Sequence, residues 1–416
     1  MRKTQAVTSL LISFFLLMVT TSKSYGDSAE VLPKGVFRTN VTTNLYWPIN
    51  KRFNPEGDTE SVAIDFNTNL NSLVFPDLGL VEEFFGMTAG TASIGRSVVD
   101  FEYKFTDLIF DLQYGITDRL TAGVKIPYYW NKTNVKEARL DTSSATVGKN
   151  AFIDSFAPLN IPGTVPLTTE DVQQLLGRGL DINGDGIIDV PGFGFKRFES
   201  VSGSGLSDIE VGFRYQYLKT DNWRLAFTGG VRFPTGEVDD PDNLIDVGFG
   251  TGAYAALFRL NNDYTGIKNL VLNATFRYDL YFPDRIEKRV PDNVNQPITI
   301  NKEKVSRKRG DIIELEASGQ YEFLQGLNAS LLYKYGFKQK DFVTGKKGFA
   351  YESLEEETNW TAHIFVAGLS YSTIPLFMSK KFPVPIEASV SYENDFAGSN
   401  NWYEQQFISL SLAVYF

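Results

Sequence analysis

Ile408-Ser409-Leu410-Ser411-Leu412-Ala413-Val414-Tyr415-Phe416 reads as a strict two-residue alternation. Ile408, Leu410, Leu412, Val414 and Phe416 share one face, and Ser409, Ser411, Ala413 and Tyr415 share the other. Successive side chains of a β-strand point to opposite faces, so this segment is a strand with one apolar side. Working outward from it, the same period recurs back to Lys34 in segments of ten or more residues, and 33 Phe and 20 Tyr enrich them. Twelve strands are predicted, near 35–47, 99–115, 119–130, 206–218, 223–233, 249–259, 269–282, 310–323, 327–340, 359–372, 384–396 and 402–416. The second needs a bulge or is two segments, because Phe101, Tyr103 and Phe105 are out of phase with Leu108, Phe110 and Leu112. No long apolar run follows the first one, so helical spans are excluded. In lipid every backbone polar group needs an internal partner, and a closed antiparallel barrel is the remaining solution. The fold class expected is all-β, a transmembrane β-barrel of the bacterial outer membrane.

The two ends agree with that class. Arg2 and Lys3 precede an apolar run, Leu10–Val19, and Ser24 and Gly26 supply the small residues a cleavage site requires. The run is about half of the ~20 residues of a spanning helix, so residues 1–26 are read as a cleaved signal, with the cut between Gly26 and Asp27. Residues 27–416 then form the barrel. Phe416, an aromatic terminus behind alternating apolar residues, resembles the recognition signal of outer-membrane barrel assembly, which makes the assembly machinery an expected partner. The chain has no cysteine, hence neither a lipoprotein acylation site nor disulfides. Its net charge of -10 argues against nucleic acid as a partner.

Connections alternate in length. Thr117-Asp118-Arg119, Thr220-Asp221-Asn222 and Leu324-Gln325-Gly326 are short turns, whereas 131–205, 234–248, 283–309 and 341–358 are long loops. An even strand count puts both termini on the periplasmic side. Trp47, Trp130, Trp360 and Trp402 then fall at outer strand ends and Trp223 at an inner one, as an aromatic girdle.

Alternation also separates lipid from lumen. In the fifth strand Leu225, Phe227, Val231 and Phe233 face out while Arg224, Thr228 and Arg232 face in, since Arg on the lipid face costs roughly 2 to 4 kcal/mol at the midplane. By the same rule Arg38, Lys125, Asp208, Glu210 and Arg214 line the lumen from the first half of the chain. Arg277, Asp279, Glu314, Glu316, Glu322, Lys334, Lys338, His363, Glu387 and Glu393 line it from the second. Folding about the short turns brings Arg232 near Asp208 or Glu210, and Glu316 near Lys334. These are structural ion pairs or a mixed-charge pore lining, and the balance of signs argues against a single-sign anion pore. Catalysis by nucleophile and base would require a histidine. The only one, His363, is expected near Gly336 and Glu393 with no nucleophile in reach.

The segments Tyr114–Trp130, YGITDRLTAGVKIPYYW, and Arg232–Gly252, RFPTGEVDDPDNLIDVGFGTG, resemble the outer-membrane family named for the MetA pathway of phenol degradation. The resemblance spans about 100–416 and implies a barrel that passes small aromatic or apolar compounds; it supplies no catalytic residues. The insertion at about 131–205 departs from the compact family pattern.

Three loop features remain. Residues 74–87 place Leu80, Val81, Phe84 and Phe85 at helical spacing with Asp77 as a cap, packed on the wall or offered to an apolar ligand. The basic loop 283–309 and the acidic stretch 235–246 read as solvated charge, or the former as a site for lipopolysaccharide phosphates. Asp181-Ile182-Asn183-Gly184-Asp185-Gly186-Ile187-Ile188-Asp189 has calcium-loop spacing: Asp181, Asn183, Asp185 and Asp189 supply oxygens, Ile187 a carbonyl, and Gly186 the turn. A helix over Thr169–Leu176 is expected to enter it, and Gly192 in place of a bidentate Glu predicts weak affinity. The expected function is a passive channel for small, aromatic or apolar molecules, with outer-membrane lipid, lipopolysaccharide and the solute as partners. The alternative is a surface-structural or adhesion barrel with a plugged lumen. No plug domain is expected before the first strand.

Overall fold

The structure is a computed structural model that describes residues 26–416, so the expected export signal lies outside the described residues except for Gly26. Twelve antiparallel strands close on themselves: β1 Phe37–Tyr46, β2 Ser93–Thr117, β3 Leu120–Asp141, β4 Ile209–Lys219, β5 Trp223–Phe233, β6 Ala255–Ile267, β7 Leu270–Tyr281, β8 Ile312–Leu324, β9 Leu327–Lys338, β10 Trp360–Ser372, β11 Ile386–Gly398 and β12 Gln406–Tyr415. Each pairs with the next, and β12 pairs with β1 in the register Val41↔Leu412. Closure leaves the wall without a free edge, which is what lets a sheet stand in lipid.

Alternation sorts the two faces as the polarity requires. Leu112, Leu260, Leu331, Leu369 and Leu412 are exposed on the outside, while Thr42, Asn44, Asp107, Asp263, Arg277 and Glu316 are buried inside. Two strands are much longer than a membrane demands: β2 has 25 residues and β3 has 22, against the ~9 to 11 that span a bilayer. Their upper halves form a tall hairpin. The phase change in β2 therefore needs no bulge at 105–108. Phe101, Tyr103 and Phe105 turn inward beneath the outer loops, and Leu108, Phe110 and Leu112 turn outward to lipid. The bulge lies higher, between Asp100 and Phe101, where β2 has left the membrane.

Residues 131–205 are likewise not all loop. β3 continues to Asp141, and Val201–Leu206 returns as a strand on its edge, with Ser204 opposite Trp130. Between them the chain folds into a cap with a core of its own. Helix α1, Asp77–Phe85, contributes Leu78 and Val81; helix α2, Thr169–Leu176, contributes Leu175; Phe75, Phe156, Phe193 and Phe195 fill the centre. Thr168 and Asp171 cap α2 reciprocally, which satisfies two otherwise orphaned helix amides. α1 departs from expectation: its N-cap is Pro76 with no side-chain bond, and Leu80 and Phe84 are exposed rather than packed.

The acidic and basic loops find one another. Residues 284–289 and 302–308 form a hairpin, and from it Lys288 reaches Asp239 while Arg289 and Lys302 both reach Asp242. The acidic stretch thus takes up Lys288, Arg289 and Lys302, while Arg285 and Lys304 of the same hairpin stay exposed to solvent. Two tryptophans also correct the girdle. Trp47, Trp130 and Trp223 are exposed on the outer face, but Trp360 is buried and packs against Trp402 at 4.4 Å between ring centroids, inside the mouth.

Candidate functional site

The lumen is filled by a segment that belongs to no strand. Asp27–Pro33 enters the barrel from the side of the short turns before Val36 leads into β1, and Asp27, Ser28 and Ala29 are buried. The wall residues that receive its buried end stand on β4, β6, β7 and β8, and those nearer the rim on β3 and β5. The Asp27 carboxylate meets Arg214, Arg259 at 3.3 Å and Arg277 at 3.7 Å. Its carbonyl accepts from Asn261 at 2.5 Å, Thr275 at 3.0 Å and Asn273 at 3.3 Å. Ser28 donates to Asp263 at 2.7 Å, the Ala29 amide donates to the same carboxylate at 3.0 Å, and Gln216 donates to the Ala29 carbonyl at 2.9 Å. Nearer the rim Leu32 donates to Thr121 at 2.8 Å, and Glu30 pairs with Arg224 at 3.3 Å. Buried charge is tolerated only when paired and hydrogen-bonded, and this lumen meets the condition largely through the inserted segment.

Beside it the wall carries its own ion network. Arg232 sits 2.6 Å from Glu210 and 3.0 Å from Asp279, and donates to the Tyr281 hydroxyl at 2.7 Å. Arg277 sits 3.1 Å from Glu316 and 3.6 Å from Glu314, with Lys334 at 3.9 Å from Glu316. The expected pairs Arg232 with Glu210 and Glu316 with Lys334 are therefore present. Asp208 is drawn elsewhere: it accepts from Thr251 and the Gly236 amide and anchors an outer loop. Arg38 donates to Tyr415 and Glu387 accepts from it, so these three close the β12–β1 seam from within. Glu322 accepts from the Gly326 amide in the short turn, and Lys338 binds Asp341 at the outer end of β9. Glu393 faces inward on β11, beside Asp395, which accepts from Trp402 and Gln405.

His363 is a correction. It lies on the outer face, in line with Phe365 and Leu369, opposite Tyr335 and Ala397 rather than Gly336 and Glu393. Its Nδ1 is 2.7 Å from the Tyr333 hydroxyl, and the Tyr335 and Phe396 rings flank it at 5.1 and 6.1 Å. Polarity alone suggested the lumen; an imidazole is equally at home among interfacial aromatic rings.

On the periplasmic side of the segment a cavity of about 730 Å³ remains. Lys125 and Glu210 line it deeper in the barrel, and Arg38, Arg224, Leu32, Pro33, Phe377, Met378 and Phe416 line it toward the periplasmic rim. The apolar rim residues come from the inserted segment, the carboxy terminus and helix α3, Ile374–Met378, in the longest of the inner turns. A second, smaller hollow of about 90 Å³ lies in the outer cap, among Phe66, Phe75, Val99, Leu140, Phe198 and Ile298.

Sequence reasoning missed Asp263 because β6 was placed at 249–259, six residues early at its start and eight at its end, and it did not select Arg259 at the edge of that range; the Gly-rich run before Ala255 is loop. It missed Asp27–Pro33 entirely, since a segment that binds by scattered polar contacts has no periodicity to read. The calcium-type loop closes as a set of turns. Asp181 accepts from the Gly184 and Gly186 amides, Asn183 from Asp185, Asp185 from Ile187, and Asp189 from Ile182. Among the described residues no three His, Cys, Asp or Glu side chains converge as a metal cage.

Similarity to known proteins is clearest in architecture. An outer membrane channel from Pseudomonas putida F1 superposes with a TM-score of 0.53 at 12% identity, covering 94% of this chain and 98% of that one. A monoaromatic hydrocarbon channel, TodX in a mutant form, gives 0.37 at 11% identity over 92% and 91%, and the NanC porin 0.32 at 9% over 76% and 97%. No curated protein matches the sequence. The family model for the MetA-pathway of phenol degradation matches residues 160–411, from inside the cap to the last strand. That span is more than half of the 416 residues and includes nine of the twelve barrel strands, and this protein belongs to that family.

Proposed function

We propose that the protein is a passive outer-membrane channel for small apolar molecules, held closed by its own amino-terminal segment. The observation that carries this reading is that Asp27–Pro33, a segment outside the strand pairing of the wall, occupies the lumen and is bound there by polar contacts. Removing Asp27–Pro33 would join the 730 Å³ cavity to the space the segment occupies, while the twelve-strand pairing stays complete. The apolar hollow of the cap, walled by Phe66, Phe75 and Phe198, has the lining chemistry that suits an apolar solute, although at about 90 Å³ it would have to widen to hold one. The closed ion network is the feature that favours the rival, a surface-structural or adhesion barrel. Planar-bilayer conductance and liposome uptake of a monocyclic aromatic probe separate the two. A variant lacking 27–33 should conduct in large steps where the intact protein conducts little. Silence from both would leave the adhesion reading.

The finer parts of this reading are export by a cleaved signal at Gly26–Asp27, insertion by the barrel-assembly machinery through Phe416, and contact with lipopolysaccharide. No catalytic role is assigned; His363 points away from the lumen. Calcium on Asp181–Asp189 belongs to the proposal as an ordering ion for the cap, with the Asp181, Asp185 and Asp189 carboxylates, the Asn183 amide oxygen and the Ile187 carbonyl as ligands. The carboxylates now cap amides of the same loop, so binding should be weak, in the ~10⁻⁴ to 10⁻³ M range of extracellular modules. Calorimetry on the intact barrel with and without chelator tests it, and no heat at several millimolar calcium leaves a plain turn.

A further inference from the structure

We infer that Glu316, Ser318 and Asn273 form a binding site for an α-ammonium group, and that its ligand is the amino terminus released when the chain is cut between Gly26 and Asp27. The inference rests on the export reading above and is independent of which solute the barrel passes. Three observations converge on the Asp27 nitrogen. It lies 3.4 Å from Glu316 Oε2, a long contact for a neutral amide. Glu316 is buried, and its other oxygen, Oε1, stands 3.1 Å from Arg277 without completing a hydrogen bond. The preceding residue occupies a polar pit: the Gly26 amide donates to Ser318 Oγ at 3.0 Å, and a Cβ on Gly26 would fall 2.5 Å from Asn273 Oδ1 and 2.6 Å from Ser318 Oγ.

Hydrolysis of the Gly26–Asp27 peptide bond changes that chemistry. One water is consumed; Gly26 leaves as a carboxylate, and Asp27 acquires an α-ammonium with three donors and a positive charge. Gly26 departs, and the pit it vacates is walled by the Ser318 and Asn273 oxygens beside the Glu316 carboxylate. Charge-assisted bonds are shorter and about twice as strong as neutral ones, and a buried carboxylate short of partners gains most from them. The same terminus carries the Asp27 side chain into Arg214, Arg259 and Arg277, so the first residue of the processed chain presents both charges to a site that is complementary to both. Processing thus adds an ammonium–carboxylate anchor to the contacts that already hold the lumen segment, and at Glu316 the unprocessed chain offers only the long amide contact.

The test uses the full mature barrel, folded in detergent, with the α-amine labelled by a water-soluble acetylating ester at neutral pH and read by mass spectrometry of the amino-terminal peptide. The expected mature terminus is Asp27. Its labelling should be at least about tenfold slower in the folded barrel than in the urea-unfolded chain, because reaction then requires local opening. Glu316→Gln should raise the folded-state rate about tenfold, the loss of roughly one charge-assisted bond. Ser318→Ala and a two-glycine extension before Asp27 should raise it too, in barrels whose heat-modifiable migration is unchanged. A terminus other than Asp27, or a labelling rate equal in folded, unfolded and Glu316→Gln protein, would overturn the inference. Amine labelling does not depend on conductance, so a silent channel with a protected amine would count against the channel and for the site.

Discussion

Lys104 on β2 and Lys132 on β3 stand directly opposite one another on the outer face, one strand step above the exposed indole of Trp130. Like charges across a strand pair repel, and their side chains point to the level where lipid headgroups begin. Lys104 has Glu102 at 3.0 Å, but Glu102 is shared with Lys136 at 2.8 Å, and among the described residues Lys132 has no carboxylate in ion-pair range. An anionic phosphate of the outer leaflet would relieve the repulsion, and the proposed lipopolysaccharide contact is placed here. Replacing both lysines by alanine should reduce the lipid A that co-purifies with the barrel by roughly thirtyfold, at ~1 kcal/mol per lysine. Equal lipid A in wild type and variant would refute this placement of the lipopolysaccharide contact.

Phe416 sits in the closing seam. Its amide donates to the Phe37 carbonyl at 2.9 Å and its carbonyl accepts from the Phe37 amide at 3.0 Å, while its ring is 72% exposed. An exposed aromatic at this place is what the proposed recognition during assembly would use. Deleting Phe416 should leave unfolded periplasmic protein, and normal levels of heat-modifiable barrel in the deletion strain would show otherwise.

Arg289 holds the cap to the barrel mouth. Buried, it donates to Asp242, to the Phe193 and Thr299 carbonyls at 2.7 and 2.6 Å and to Gly194 at 2.9 Å. Arg289→Ala strands those acceptors and should destabilise the cap by about 3 to 5 kcal/mol. Proteolysis should then cut 181–199 while the barrel core stays resistant.

Acid should loosen the same latch. Burial pushes the Asp242 carboxyl up, but bonds from Lys302 and Arg289 outweigh it and hold it below its usual value. A carboxyl depressed in the folded state contributes stability above its unfolded pKa of about 3.9, and loses it as pH falls through the lower folded value. Cap proteolysis should therefore be flat from pH 7 to about 5 and rise below about pH 4. Asp242→Asn should show raised cleavage at every pH and no further rise in acid.

In any open state, charge selectivity should be weak. The inward face carries Arg38, Lys125, Arg224 and Arg232 with Glu210, Asp279, Glu314 and Glu316, so neither sign dominates the lining. Reversal potentials in a salt gradient, measured on the variant lacking 27–33, should stay close to zero. A strong preference for one sign would mean that charges outside this network control the path.

What the sequence determined by itself is whatever period-two alternation carries. The count of twelve strands, their antiparallel closure, the short inner turns and, except for His363, the inward set from Arg214 to Glu393 follow from residues read one strand at a time, because lipid penalises any other placement of charge. Only the tertiary structure decided what alternation cannot encode. Phe101, Tyr103 and Phe105 look like lipid-facing residues until the loops that cover them are in place, and Trp360 looks like a girdle residue until Trp402 packs on it. His363 is polar by composition and outward by register. The basic and acidic loops find each other across 40 to 60 residues of sequence. Asp27 meets Arg214, Arg259 and Arg277 from more than 180 residues away, through contacts from one short aperiodic segment to several strands. Such contacts are set by which side chains the closed wall brings to one place, and a local pattern holds no record of them.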